Sequence, residues 1–239
     1  MLPKANIACS IVIIIGFLGT ACAADGALAA RQHEGDRERA ISNYIEMIRL
    51  DSKDSDAPLN RATKDQAESD RDQIIVYYNA AIRRDPKDDD AYFHRGLANF
   101  YDGFLRLALA DLSQASKLDP EYAYYALWLD ILGKRGNLAS RLPQAISQIN
   151  MTKWPAPVIR LLLGQTTPAA VLAAADDPDA NTKRGQLCEA NFYLGELALQ
   201  QGAKERAAGL FRLAAADCPR EFVEGPAASA ELKMLGVSP

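Results

Sequence analysis

Asp51-Ser-Lys-Asp-Ser-Asp-Ala-Pro-Leu-Asn-Arg-Ala62 reads again, 34 positions on, as Asp85-Pro-Lys-Asp-Asp-Asp-Ala-Tyr-Phe-His-Arg-Gly96, and Asp119 repeats the step. Helical signals follow the same period. Ala40, Tyr44 and Met47 recur as Ile74, Tyr78 and Ala81, then as Ala108, Leu112 and Ala115. Spacing of four then three keeps each trio on one helical stripe. Each stripe runs into an Asp, twice followed at once by proline (Pro86, Pro120), which cannot continue the helix behind it.

A fixed period of this kind marks stacked supersecondary units, and 34 residues is the length of a tetratricopeptide hairpin. The expectation is an all-α solenoid of antiparallel helix pairs, a fold that binds along a surface and rarely does chemistry. Clear repeats are expected at 89–120 and 188–219. The first carries Tyr92, Gly96 and Ala98, a turn at Gly103, and Ala108, Leu112 and Ala115. The second carries Leu194, Gly195, Gly202, Ala207, Phe211 and Ala214 at matching offsets. Gly96 and Ala108 sit where the paired helices approach closely, and larger side chains would separate them. Partial repeats are expected at 36–52 and 56–86, with Asn60 to Asp72 an exposed helix or part loop. Degenerate hairpins are expected at 123–150 and 154–176. Thr167-Pro168 caps a short Ala-rich helix, Asp177 to Arg184 reads as a polar loop, and Gly225-Pro226 delays a last helix to Ala227.

The chain has 239 residues, is 49% hydrophobic and carries a net charge of −4. That suffices for a packed core. The acidic balance gives nothing to attract a phosphate backbone, so no nucleic acid is expected as a partner. Lys4, an uncharged run from Ala5 to Leu18, and Ala21-Cys22-Ala23 read as a secretory signal over 1–23, too short for a comfortable membrane span. Residues 24–239 are then one domain. Cys22 offers a lipid attachment point instead of plain cleavage after Ala23.

No nucleophile elbow, phosphate-binding glycine loop or Cys-x-x-Cys pair occurs. The two histidines, His33 and His94, have no partner at metal-ligand spacing. No catalytic residue, cofactor or metal is expected, and the chain is not read as an enzyme. Glu189 and Glu196, seven apart on one helix, are the best acid pair for a glycan hydrolase, but read as a solvated face. Cys188 opens a helix and Cys218 ends its antiparallel partner, so a disulfide is geometrically reasonable; two buried thiols are the alternative. First helices of such hairpins line the inner surface. That assigns a protein-binding groove to Phe93, Leu97, Phe100 and Tyr101 on one unit and Phe192, Glu196, Leu199 and Gln200 on the other. Packing against a neighbouring repeat is the competing use of such aromatics.

Four stretches carry a family likeness: Tyr92 to Ala98; Ala126-Leu-Trp-Leu-Asp130; Trp154-Pro-Ala-Pro-Val-Ile-Arg-Leu-Leu-Leu-Gly164; and Asn191-Phe-Tyr-Leu-Gly-Glu196 onward to Glu224. In that order they resemble the NlpI-type tetratricopeptide lipoproteins of Gram-negative envelopes. The resemblance implies a homodimeric periplasmic adaptor, held at the outer membrane only through a lipid on Cys22. It would bring a tail-specific protease to peptidoglycan hydrolases and so affect wall growth and division. It carries no catalytic residues across. A scaffold for outer-membrane protein assembly is the alternative reading.

Overall fold

The computed structural model describes residues 61–237. The signal segment, Cys22, His33 and the repeat expected at 36–52 lie outside the described residues. Those described form ten helices and no strand. They are α1 (Arg61–Arg84), α2 (Asp89–Tyr101), α3 (Leu105–Leu118), α4 (Ala123–Arg135), α5 (Leu142–Ala145), α6 (Ala156–Leu162), α7 (Pro168–Ala174), α8 (Ala180–Gln200), α9 (Lys204–Asp217) and α10 (Glu224–Met234). Neighbours in sequence pack as neighbours in space, most extensively α2 with α3 and α8 with α9.

These two hairpins share one plan. The end of α2 at Tyr101, the turn at Gly103, the start of α3 at Leu105 and its end at Leu118 recur 99 positions on as Gln200, Gly202, Lys204 and Asp217. The turns close identically. The Phe104 N–H donates to the Asn99 carbonyl at 2.8 Å, and the Ala203 N–H to the Ala198 carbonyl at 2.9 Å. This six-to-one bond satisfies a carbonyl that the helix end would orphan, and it needs a left-handed residue between. Gly103 (φ +82°) and Gly202 (φ +75°) provide it. A Cβ at Gly202 would meet nothing within 4 Å, so only backbone strain opposes one. Gly202→Ala is therefore expected to cost about 1 kcal/mol. That is a fall of roughly 2–4 °C in Tm for a domain of this size, measurable by calorimetry.

Inside each hairpin a glycine lets the helices close. A Cβ on Gly195 would sit 2.6 Å from the Phe211 ring, and one on Gly96 would lie 3.2 Å from Leu112 Cγ. Arg95, where the later unit has leucine, ties three helices together. Its guanidinium donates to Asp111 on α3 through Nε at 2.8 Å and to Asn79 on α1 at 2.7 Å, while Asn99 also donates to Asp111.

Between the hairpins, Trp128 on α4 joins the two cores. Its ring lies 6.4 Å from Phe93 on α2 and 5.2 Å from Phe192 on α8, which in turn lies 5.9 Å from Phe211 on α9. All four rings are buried. Burying side chains of this size stabilises by roughly 1.5–3 kcal/mol each.

Several boundaries differ from those read in the sequence. Residues 61–84 form one unbroken helix, including the charge-rich stretch before Asp72. The loop after Asp176 is short, because the Asp179 carboxylate accepts the Thr182 N–H at 2.8 Å and starts α8 at Ala180. α10 begins at Glu224, ahead of Gly225-Pro226. Proline in a first turn removes an N–H that has no helical partner, so it does not delay the helix. Between Leu138 and Ile149 only Leu142–Ala145 is helical. Thr167 caps α7, its hydroxyl accepting the Ala170 N–H at 3.2 Å.

Candidate functional site

α8 organises the centre of this fold. It is 21 residues long and has glycine at 185 and 195, where Phe222 and Phe211 crowd against it. Its two acids point inward. Glu189 is 5% exposed and Glu196 1%. Neither is open to a saccharide, and the solvated face expected for them is a packed one. The reason lies far away in sequence, in the groups that receive them.

Glu189 is held by two donors, the single hydroxyl proton of Tyr124 being shared between its oxygens. Tyr124 Oη donates to both carboxylate oxygens at 2.8 and 3.0 Å, and the indole N–H of Trp154 donates at 2.6 Å. Glu224 lies beside it, accepting from Tyr193 Oη at 3.1 Å. Trp128 adds a weaker donation to Glu224 that falls short of hydrogen-bond geometry. No cation pairs with either acid among the described residues. Burial, reinforced by the charge on Glu224, pushes Glu189 up to about 8 against the pull of the Trp154 and Tyr124 donors. Burial raises Glu224 as well.

One helical turn pair further along, the second acid site does have a cation. Arg135 Nη2 reaches Glu196 at 2.8 and 2.9 Å and Glu231 of α10 at 2.8 Å. The Arg135 guanidinium also lies over the Phe100 ring, 5.3 Å from its centroid. Burial pushes Glu231 up to about 8, with Glu196 adding to the rise and Arg135 opposing it. Burial raises Glu196 against the same arginine. For Arg135, burial alone would lower the pKa, but the two carboxylates outweigh it and raise it.

The stripe assigned to a groove from its spacing is largely internal. Phe93 (5% exposed), Leu97 (1%) and Phe192 (0%) join the core with Glu196, because α4 packs on that face of both α2 and α8. Phe100, Tyr101 and Leu199 are half-buried, and Gln200 alone is exposed. Only the rim of the proposed surface therefore faces solvent.

The open space lies on the other side of α8. A cleft of about 330 Å³ is lined by Leu161 and Leu162 of α6, by Leu194, Leu197 and Ala198 of α8, and by Arg206 of α9 at its edge. These α8 positions lie roughly half a turn round the helix from Phe192 and Glu196, at 100° per residue. Sequence reasoning missed this face. Its one legible sign is a second set of apolar residues, Leu194, Leu197 and Ala198, interleaved with the first.

Cys188 and Cys218 form a disulfide between α8 and the end of α9, with Cα atoms 4.9 Å apart. Closing this loop contributes about 3–4 kcal/mol on the chain-entropy model. Gly225 makes room for it, since a Cβ there would lie 2.7 Å from Cys218 Cβ. His94 is buried, stacks on Tyr78 at 5.6 Å and has Nε2 3.6 Å from Asp90. Among the described residues no three His, Cys, Asp or Glu side chains gather where they could hold a metal ion. No helix among them is long and apolar enough to cross a membrane. No protein-family model matches the sequence.

Proposed function

We propose that this chain is a protein-binding adaptor of the bacterial cell envelope, built as a tetratricopeptide-like array of helical hairpins. In this reading it is exported, acts as a homodimer, and brings a tail-specific periplasmic protease to peptidoglycan hydrolases. It takes no chemical step itself. Its contribution is to raise the effective concentration of one partner beside another.

The observation that carries the binding part is the cleft beside α8. It has an apolar floor of leucines and a rim that includes Arg206, exposed and without an acidic partner among the described residues. An apolar floor with a few polar groups at its edge suits capture of a helix or extended segment by its side chains. The 99-residue recurrence of the α2–α3 turn in α8–α9 supports the repeat reading. The envelope setting and the named partners rest on the family likeness alone.

The test is a reconstitution with purified protease and peptidoglycan hydrolase. Adding the chain is expected to speed hydrolase breakdown at least tenfold. Leu197→Glu, which puts a charge on the half-buried floor of the cleft, is expected to abolish the gain while leaving the far-ultraviolet spectrum unchanged. Equal degradation with and without the chain would rule the reading out.

A further inference from the structure

A second cleft, of about 240 Å³, lies where α3, α4 and α5 meet. Its floor is Ala126, Leu129 and Ala145. Round this floor stand Ser113, Ser116 and Lys117 of α3, with Arg141 and Gln144 at α5. No acidic residue lines it, although the chain as a whole is acidic, with 31 Asp and Glu against 27 Lys and Arg.

The charged groups that line this cleft are exposed cations. Lys117 and Arg141 have no ion-pair partner among the described residues, although Asp119 lies two positions from Lys117 and instead accepts the Glu121 and Tyr122 N–H groups. Ser113, Ser116 and Gln144 likewise make no side-chain hydrogen bond there. Two cations and three neutral donors thus converge on one apolar floor.

We propose that this cleft binds an acidic peptide segment, an apolar side chain entering against Leu129 and the following Asp or Glu carboxylate lying between Lys117 and Arg141. The charge complementarity selects the anion, since a fork of arginine donors suits a carboxylate. The floor selects a peptide over a bare anion, because an inorganic ion would leave Ala126, Leu129 and Ala145 uncovered. The proposal deepens the adaptor reading, on which it rests for the idea that the ligand is a protein, by naming the chemistry of the segment captured.

The experiment titrates the full mature chain, labelled with 15N, with the peptide acetyl-Leu-Glu-Glu-amide. Acetyl-Leu-Gln-Gln-amide and inorganic phosphate are titrated in parallel. The expected result is shift changes at the amides of Ser113, Ser116, Ala126 and Ala145. Affinity for the glutamine peptide is expected to be at least fivefold lower. The Lys117→Ala/Arg141→Ala variant should lose at least fivefold for the glutamate peptide, and Arg141→Glu at least as much. Lys117 and Arg141 are exposed, so the variants should keep the parent melting temperature. Equal binding of the two peptides, or shifts confined to other helices, would overturn the proposal. So would phosphate binding as tightly as the glutamate peptide, which would make this a small-anion site. The protease assay, read through Leu197, judges the adaptor function separately. Loss of that stimulation with peptide binding intact would sink the function and leave this cleft standing.

Discussion

Arg135→Met should destabilise the protein by about 3–5 kcal/mol at neutral pH, the usual effect of removing one partner from a buried ion pair. The substitution keeps most of the packing over Phe100 but withdraws the only cation facing Glu196 and Glu231 among the described residues. Their side chains are 1% and 2% exposed, so water cannot replace it. Both acids already sit above the ordinary glutamate range, and the loss would push them higher. An acid raised in the folded state loses stability as pH climbs toward its folded value. The penalty is therefore expected to be smaller at pH 5, where both acids can hold protons, than at pH 8. Urea unfolding at the two pH values measures this. Adding Glu196→Gln and Glu231→Gln should recover much of the loss, since no buried charge is then left alone. A penalty independent of pH would show that packing, not charge, is what Arg135 contributes.

Glu189→Gln should have the opposite sign at alkaline pH. In the folded chain Glu189 is raised from 4.5 to about 8. Its contribution to stability is complete below the unfolded value, and it disappears as pH rises through the folded one. At about 1.4 kcal/mol per pH unit between the two values, the wild type is expected to lose of the order of 5 kcal/mol across that window. Glutamine keeps an oxygen for Tyr124 and Trp154 and cannot ionise. The variant should therefore gain on the wild type steadily from pH 5 to pH 8. Parallel stability profiles for the two proteins would show that Glu189 is not held protonated.

Much of the helical plan was legible because its signals are local. The αL glycine at 103 and at 202, the prolines after Asp85 and Asp119, and the Thr167 cap each act within a few residues. Gly96, read as a point of close helix approach, does face Leu112 and the Ala108 carbonyl. What was hidden depends on partners far along the chain. Glu189 and Glu196 read as surface acids, yet their partners Tyr124 and Arg135 lie 65 and 61 positions away. No window along the helix reports such pairings. The same holds for the groove. α8 is apolar on two faces, and spacing alone does not say which one meets α4. The structure gives Phe192 to Trp128 and leaves Leu197 at the cleft. The start of α10 is hidden for another reason: Pro226 falls in the first turn, where a missing N–H has no helical partner to lose.

The chain has two tryptophans, and both indoles address the same pair of acids: Trp154 donates to Glu189, and Trp128 leans on Glu224. The molecule thus comes with its own fluorophores at the junction of its two hairpin cores. Their emission offers a label-free readout of how that junction is protonated and whether it stays closed.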